Sequence, residues 1–138
     1  MTILIIDGQG GNLGRQLVRM IVERFPSLTL HAVGTNSTAT EAMLRAGAVN
    51  AATGENAVLV GCRHADIIVG PIGIVIADAL LGEVTPAMAA AVGQSDAFRI
   101  LIPMNRCATV VAGVPAIPAS ALLEDAMRHI GEIVGETV

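Results

Sequence analysis

The run Asp7-Gly8-Gln9-Gly10-Gly11-Asn12-Leu13-Gly14 combines the residue types that receive an anion through the backbone. Glycines let main-chain N–H groups approach a phosphate without Cβ atoms in the way. Where such a run leaves a strand and opens a helix, its N–H groups and the helix dipole favour negative charge at the same point. A literal GxGxxG fails, because its third glycine falls at Leu13. Gly8, Gly11 and Gly14 instead satisfy a GxxGxxG variant similar to that of atypical dinucleotide-binding proteins. The chemistry expected of Gly8, Gln9, Gly10, Gly11, Asn12 and Gly14 is therefore phosphate binding. The competing account is a glycine turn needed only to pack helix on strand.

A second cluster, Gly34-Thr35-Asn36-Ser37, follows about 20 residues later, where a dinucleotide site usually places an acidic residue on the ribose hydroxyls. No acid is present, so NAD in its usual mode loses support. The hydroxyl and amide groups of Thr35, Asn36 and Ser37 suit a 2′-phosphate, which puts NADP slightly ahead, with Arg45 a turn or two away rather than adjacent. Helix capping is the simpler account of the same residues. Thr53-Gly54-Glu55-Asn56 can present a carboxylate and an amide, although capping explains it nearly as well. Gly70, Pro71 and Gly73 read as a backbone platform for a ring or ribose, or as packing glycines.

Candidates for catalysis are weaker. Asn105, Arg106 and Cys107 leave a predicted strand together, and a cysteine beside an arginine can be a thiolate nucleophile. No histidine is placed to serve as its base, since His31 lies inside a strand, His64 ends a helix and His129 sits late in the last one. Asp7 suits a ligand hydroxyl or a magnesium ion, but more often such a residue bonds the N–H groups of the turn that follows it. Asp78 and Glu83 read as a solvated face, and Cys62 as a small core residue.

The elements that must position these groups follow from hydrophobic spacing. Ile3 to Asp7 is a continuous apolar strand, and Leu13, Leu17, Ile21 and Phe25 recur at helical spacing up to Pro26, with Arg15, Arg19 and Glu23 on the other face. Strands are predicted over 28–33, weakly over 48–51, then over 66–70 and 98–103, with 109–112 as an optional sixth. Helices are predicted from Ser37 to Gly47, from Glu55 to before His64, over 74–81 and 86–92 with a break at Gly82, and over 119–134. Alternating strands and helices call for one Rossmann-like α/β domain spanning 1–138, with a mostly parallel sheet of five or six strands covered on both faces. The order 3-2-1-4-5-6 gathers Gly8, Thr35, Gly70 and Asn105 at the carboxyl edge, where such sheets bind ligands.

Composition excludes much else. The 138 residues are 53% apolar with only 1% aromatics, so the core is built from Val, Ile, Leu, Ala and Met, as expected for helices over a buried parallel sheet. The eight basic residues are all Arg and scattered, and the net charge is −4, so nucleic acid is not an expected partner. Absence of lysine removes Schiff-base chemistry and the Walker lysine, and absence of tyrosine removes the Tyr/Lys pair of short-chain dehydrogenases. Two distant cysteines suit a reducing compartment, and the short apolar run 3–6 without a basic leader does not direct export, so a cytoplasmic location without membrane contact is expected.

The segments Ile-Asp-Gly-Gln-Gly-Gly at 6–11, Gly-Thr-Asn at 34–36, Ala-Thr-Gly-Glu-Asn-Ala at 52–57, Gly-Pro-Ile-Gly-Ile at 70–74 and Ile-Pro-Met-Asn-Arg-Cys at 102–107 together resemble a family of short bacterial proteins, domain of unknown function 3842. The resemblance covers nearly the whole chain. It implies that these segments travel together, and they are the ones that the fold rule places at one edge. Three functions then compete. The first is an NADP-like nucleotide-binding protein acting as a sensor or redox-system subunit; the second is an oligomeric enzyme using Asn105, Arg106 and Cys107; the third is a structural protein with no small ligand. A mean hydropathy of +0.67 with few charges points to a homo-oligomer packed through Ile74 to Val92.

Overall fold

The computed structural model describes residues 1–104 and 108–136. Five parallel strands, β1 (Thr2–Asp7), β2 (Thr29–Gly34), β3 (Asn50–Thr53), β4 (Ile67–Pro71) and β5 (Phe98–Ile102), lie in the order β3-β2-β1-β4-β5. The helices are α1 (Asn12–Arg24), α2 (Ser37–Ala46), α3 (Glu55–His64), α4 (Pro86–Gln94) and α5 (Ala119–Val134). This is a single α/β domain of Rossmann-like arrangement.

The apolar run of β1 has a direct cause. It is the central strand, paired with β2 from Thr2↔Thr29 to Asp7↔Gly34 and with β4 from Ile3↔Ile67 to Ile5↔Val69. A strand covered on both faces needs apolar residues at every position rather than at alternate ones. Ile3 and Ile5 enter a core shared with Leu17, Ile21, Met127 and Ile130, whereas Leu4 and Ile6 enter one shared with Val58, Ile74, Val84 and Val92. Helices α1 and α5 thus cover one face, with α3 and α4 on the other.

Two expectations are corrected. Residues 109–112 form no sixth strand. Val114 N–H donates to Val111 O in a turn and Gly113 has φ +81°, so the chain bends here instead of extending, and Pro115 and Pro118 stop a strand from starting directly after it. Nor is 74–81 a helix. A 3-10 turn, Ile72–Val75, leads into a strap of successive turns in which Asp78, Leu80, Leu81 and Gly82 all have positive φ. The strap closes on itself through Asp78 N–H to Val84 O and Val84 N–H to Ala79 O. Its apolar residues are not all core, since Leu80 is buried while Leu81 is 96% exposed. Among the described residues, no helix is long and apolar enough to cross a membrane.

Candidate functional site

The strand order reverses between β1 and β4, and beyond their carboxyl ends the 8–14 loop opens α1. Gly11 is the N-cap of this helix, in the left-handed region at φ +74°, and provides no side-chain cap. Asp7 takes that role from below. Its Oδ1 accepts from Gly8 N–H at 2.8 Å and its Oδ2 from Gly14 N–H at 2.6 Å, so it caps the turn as one of its two readings expects. Burial pushes the Asp7 carboxyl above its ordinary pKa, against the bonds from Gly14 and Gly8, and the nearby negative charge of Glu83 acts in the same direction as burial.

A cleft of about 270 Å³ lies over the loop, lined by Asp7, Gly8, Gln9, Gly10, Gly11, Asn12 and Leu13, with Leu80 and Met104 as its apolar wall. The glycines are not equivalent. A Cβ on Gly8 would lie 2.5 Å from Thr35 Oγ1, one on Gly11 2.7 Å from Ala39 Cα, and one on Gly14 2.7 Å from Met43 Sδ. The three glycines of the GxxGxxG pattern are therefore consumed by internal packing. Gly10 differs, because among the described residues a Cβ there would have nothing within 4 Å. Among the described residues, the N–H groups of Gly10, Asn12 and Leu13 have no acceptor, as expected at the first turn of a helix. Arg15, one turn into α1, donates from Nη2 to Asn12 Oδ1 at 2.6 Å and has no carboxylate partner among the described residues.

At the end of β2 the structure supplies the carboxylate that the local sequence lacks. Glu83 of the strap is half-buried, and its Oε1 accepts from Gln9 N–H at 2.9 Å, Thr35 Oγ1 at 2.7 Å and Asn36 Nδ2 at 2.6 Å. The expectation that Glu83 belongs to a solvated face is thus corrected, while Asp78 is exposed. Burial opposes ionisation of Glu83, but the bonds from Gln9, Thr35 and Asn36 together outweigh it and hold the carboxyl below its ordinary pKa. Asn36 has two tasks. Its Oδ1 caps α2 by accepting from Ala39 N–H, and its Nδ2 also donates to Gln9 O.

The other candidates are spread more widely. Ser37 is exposed at the start of α2. Gly70, Pro71 and Gly73 are buried beneath the strap and do not line the cleft; a Cβ on Gly70 would collide with Ile6 O, which accounts for that glycine by packing alone. Gly54, not a side chain, caps α3, and Thr53 pairs with Thr40 through their hydroxyls. Asn105, Arg106 and Cys107 lie outside the described residues. Glu83 is the residue that sequence reasoning missed as a part of the site. Its signal is slight: one of two acids, with Asp78, in a mostly apolar connection, placed directly after Gly82.

Comparison with known proteins adds the family. The model described as Domain of unknown function (DUF3842) matches residues 2–135. The chain belongs to that family. No curated protein and no solved structure matches it. The segments by which the sequence resembles this DUF3842 family supply Asp7, Gly8, Gln9, Gly10, Thr35 and Asn36 to the cleft and to the hydrogen-bond knot beside it.

Proposed function

We propose that the protein binds a nucleotide, with a phosphate received by the open N–H groups at the start of α1. The observation that carries this reading is the cleft itself: among the described residues, Gly10, Asn12 and Leu13 offer N–H groups without acceptors at the positive end of a 13-residue helix, and Gly10 is the one loop glycine whose missing Cβ faces open space. Arg15 beside Asn12 adds a positive charge. The buried Asp7 carboxylate opposes an anion, but two backbone donors already engage it. A volume of 270 Å³ lies just under the roughly 300–1,000 Å³ of whole-ligand pockets, so it suits a phosphate or diphosphate with the remainder of the ligand along the sheet edge.

Binding without chemistry, as in a sensor or redox-system subunit, fits the cleft better than catalysis. Among the described residues that line it, Asp7 is the sole titratable side chain, and it is occupied in capping. We also propose a homo-oligomer packed through Ile74 to Val92. The outward residues of α4 include Pro86, Ala87, Ala90, Gly93 and Gln94 without a charge, next to the exposed Leu81. Sedimentation equilibrium at micromolar concentration tests this, and a clean monomer refutes it.

Nucleotide binding is tested by thermal melts with NAD, NADP, FAD, FMN, ATP and AMP. A ligand present at about 100 times its Kd stabilises the folded state by roughly 2.7 kcal/mol. At least one of the six is expected to raise Tm. No shift from any of them at millimolar concentration refutes the proposal.

A further inference from the structure

We infer that Glu83 is a specificity-determining residue that accepts the 2′-hydroxyl of the nucleotide ribose and rejects a 2′-phosphate. The inference rests on the nucleotide-binding reading and adds which nucleotides are taken.

In sheets of this topology the ribose of a bound nucleotide lies between the first loop and the end of β2, where an acid ordinarily follows β2. Here β2 ends in Gly34-Thr35-Asn36 with no acid, and a carboxylate from 48 residues further on occupies that junction, touching Gln9 of the first loop and Thr35 and Asn36 after β2. Its placement is built rather than incidental. Gly8 lacks the Cβ that would meet Thr35 Oγ1 and stand 3.0 Å from Glu83 Oε1, and the strap delivers Glu83 through three non-glycine residues, Asp78, Leu80 and Leu81, held in the left-handed region. Such conformations persist only where the surrounding structure determines them.

The hydrogen bonds then divide the ligands. Glu83 Oε1 is saturated by three donors, whereas Oε2 has no partner among the described residues and remains an acceptor for a hydroxyl. Thr35 and Asn36, two of the side chains that would otherwise hold a 2′-phosphate, already spend their donors, Thr35 on Glu83 and Asn36 on Glu83 and Gln9 O. A 2′-phosphate placed there meets a carboxylate that its neighbours keep ionised, and neither Thr35 nor Asn36 has a side-chain donor left to offset the repulsion; the exposed Ser37 does not touch Glu83.

Calorimetric titration of wild type and Glu83→Gln with ADP, 2′-deoxy-ADP, NAD and NADP tests the inference, and the unliganded melts show whether the variant is folded. Wild type should bind ADP about ten- to a hundred-fold more tightly than 2′-deoxy-ADP, the range for a hydrogen bond to a charged group, and NAD more tightly than NADP by at least as much. In Glu83→Gln both ratios should fall towards one. Equal wild-type affinity for ADP and 2′-deoxy-ADP overturns the inference without recourse to the variant, as does preference for NADP over NAD. A variant that binds all four more tightly by one common factor also overturns it, because Glu83 would then be an internal occupant of the site. In each of these cases nucleotide binding itself survives. Absence of binding by all four ligands to both proteins defeats the nucleotide reading and this inference together.

Discussion

Replacing Gly11 with Ala tests whether the glycine loop is built for packing or for a ligand, because Gly10 beside it provides an internal control. At Gly11 the new Cβ is placed 2.7 Å from Ala39 Cα and 3.0 Å from both Ala39 O and Ala42 Cβ, so α2 must retreat from the loop. Overpacking of this kind costs about 1–3 kcal/mol. The left-handed backbone at φ +74° adds about 1–2 kcal/mol for a residue with a Cβ. The sum, roughly 2–5 kcal/mol, is a large part of the roughly 5–15 kcal/mol that holds an ordinary domain together. Gly10→Ala meets nothing within 4 Å among the described residues and needs no left-handed backbone, so it should change stability by less than about 0.5 kcal/mol. The chain has no Trp or Tyr, so urea unfolding is best followed by far-UV circular dichroism. Equal midpoints for Gly11→Ala and wild type would refute the packing argument, and so would unfolding by Gly10→Ala.

Asp7→Asn should destabilise the protein by about 1–3 kcal/mol, read in the same urea assay, because an amide must turn its own N–H towards Gly8 or Gly14 and leave a buried donor unpaired. Glu83 should contribute to acid sensitivity: its folded pKa is lowered, so its stabilisation is complete above the ordinary carboxylate range and is lost as pH falls through the folded value. Asp7, with a raised pKa, acts in the opposite sense, losing stability as pH rises from 3.8 through its folded value; Glu83→Gln should therefore flatten the loss of Tm below about pH 4.5, while an unchanged profile would count against this assignment. Cys62 is buried and its thiol is pushed up to about 11 by desolvation, so in a Cys107→Ser background it should react with a thiol reagent at least about a hundred-fold more slowly folded than in urea.

Much of the framework was legible because it rests on local signals. The apolar run of β1, the helical spacing of Leu13, Leu17, Ile21 and Phe25, the cap at Asn36 and the proline that opens α4, Pro86, each depend on residues close in sequence. The strap was not legible. Ile74 to Leu81 has the composition of a buried helix, but what shapes it is a set of turns whose bonds, such as Asp78 N–H to Val84 O, leave no periodic trace. Glu83 was missed for a related reason. Its partners Gln9, Thr35 and Asn36 lie 74, 48 and 47 residues away, and only the folded sheet brings them together. The glycine motif shows in its spacing that a turn leads into a helix, yet spacing alone does not distinguish Gly8, Gly11 and Gly14, which face neighbouring atoms, from Gly10, which faces the cleft.

The most direct test of nucleotide binding at the start of α1 is amide chemical-shift mapping of the ¹⁵N-labelled protein titrated with the nucleotide that most raises Tm. The account predicts that the largest changes fall on the amides of Gly10, Asn12 and Leu13, and that Gly10→Val, folded by its melt, abolishes them. Changes centred on another part of the molecule, or undiminished in Gly10→Val, would contradict it.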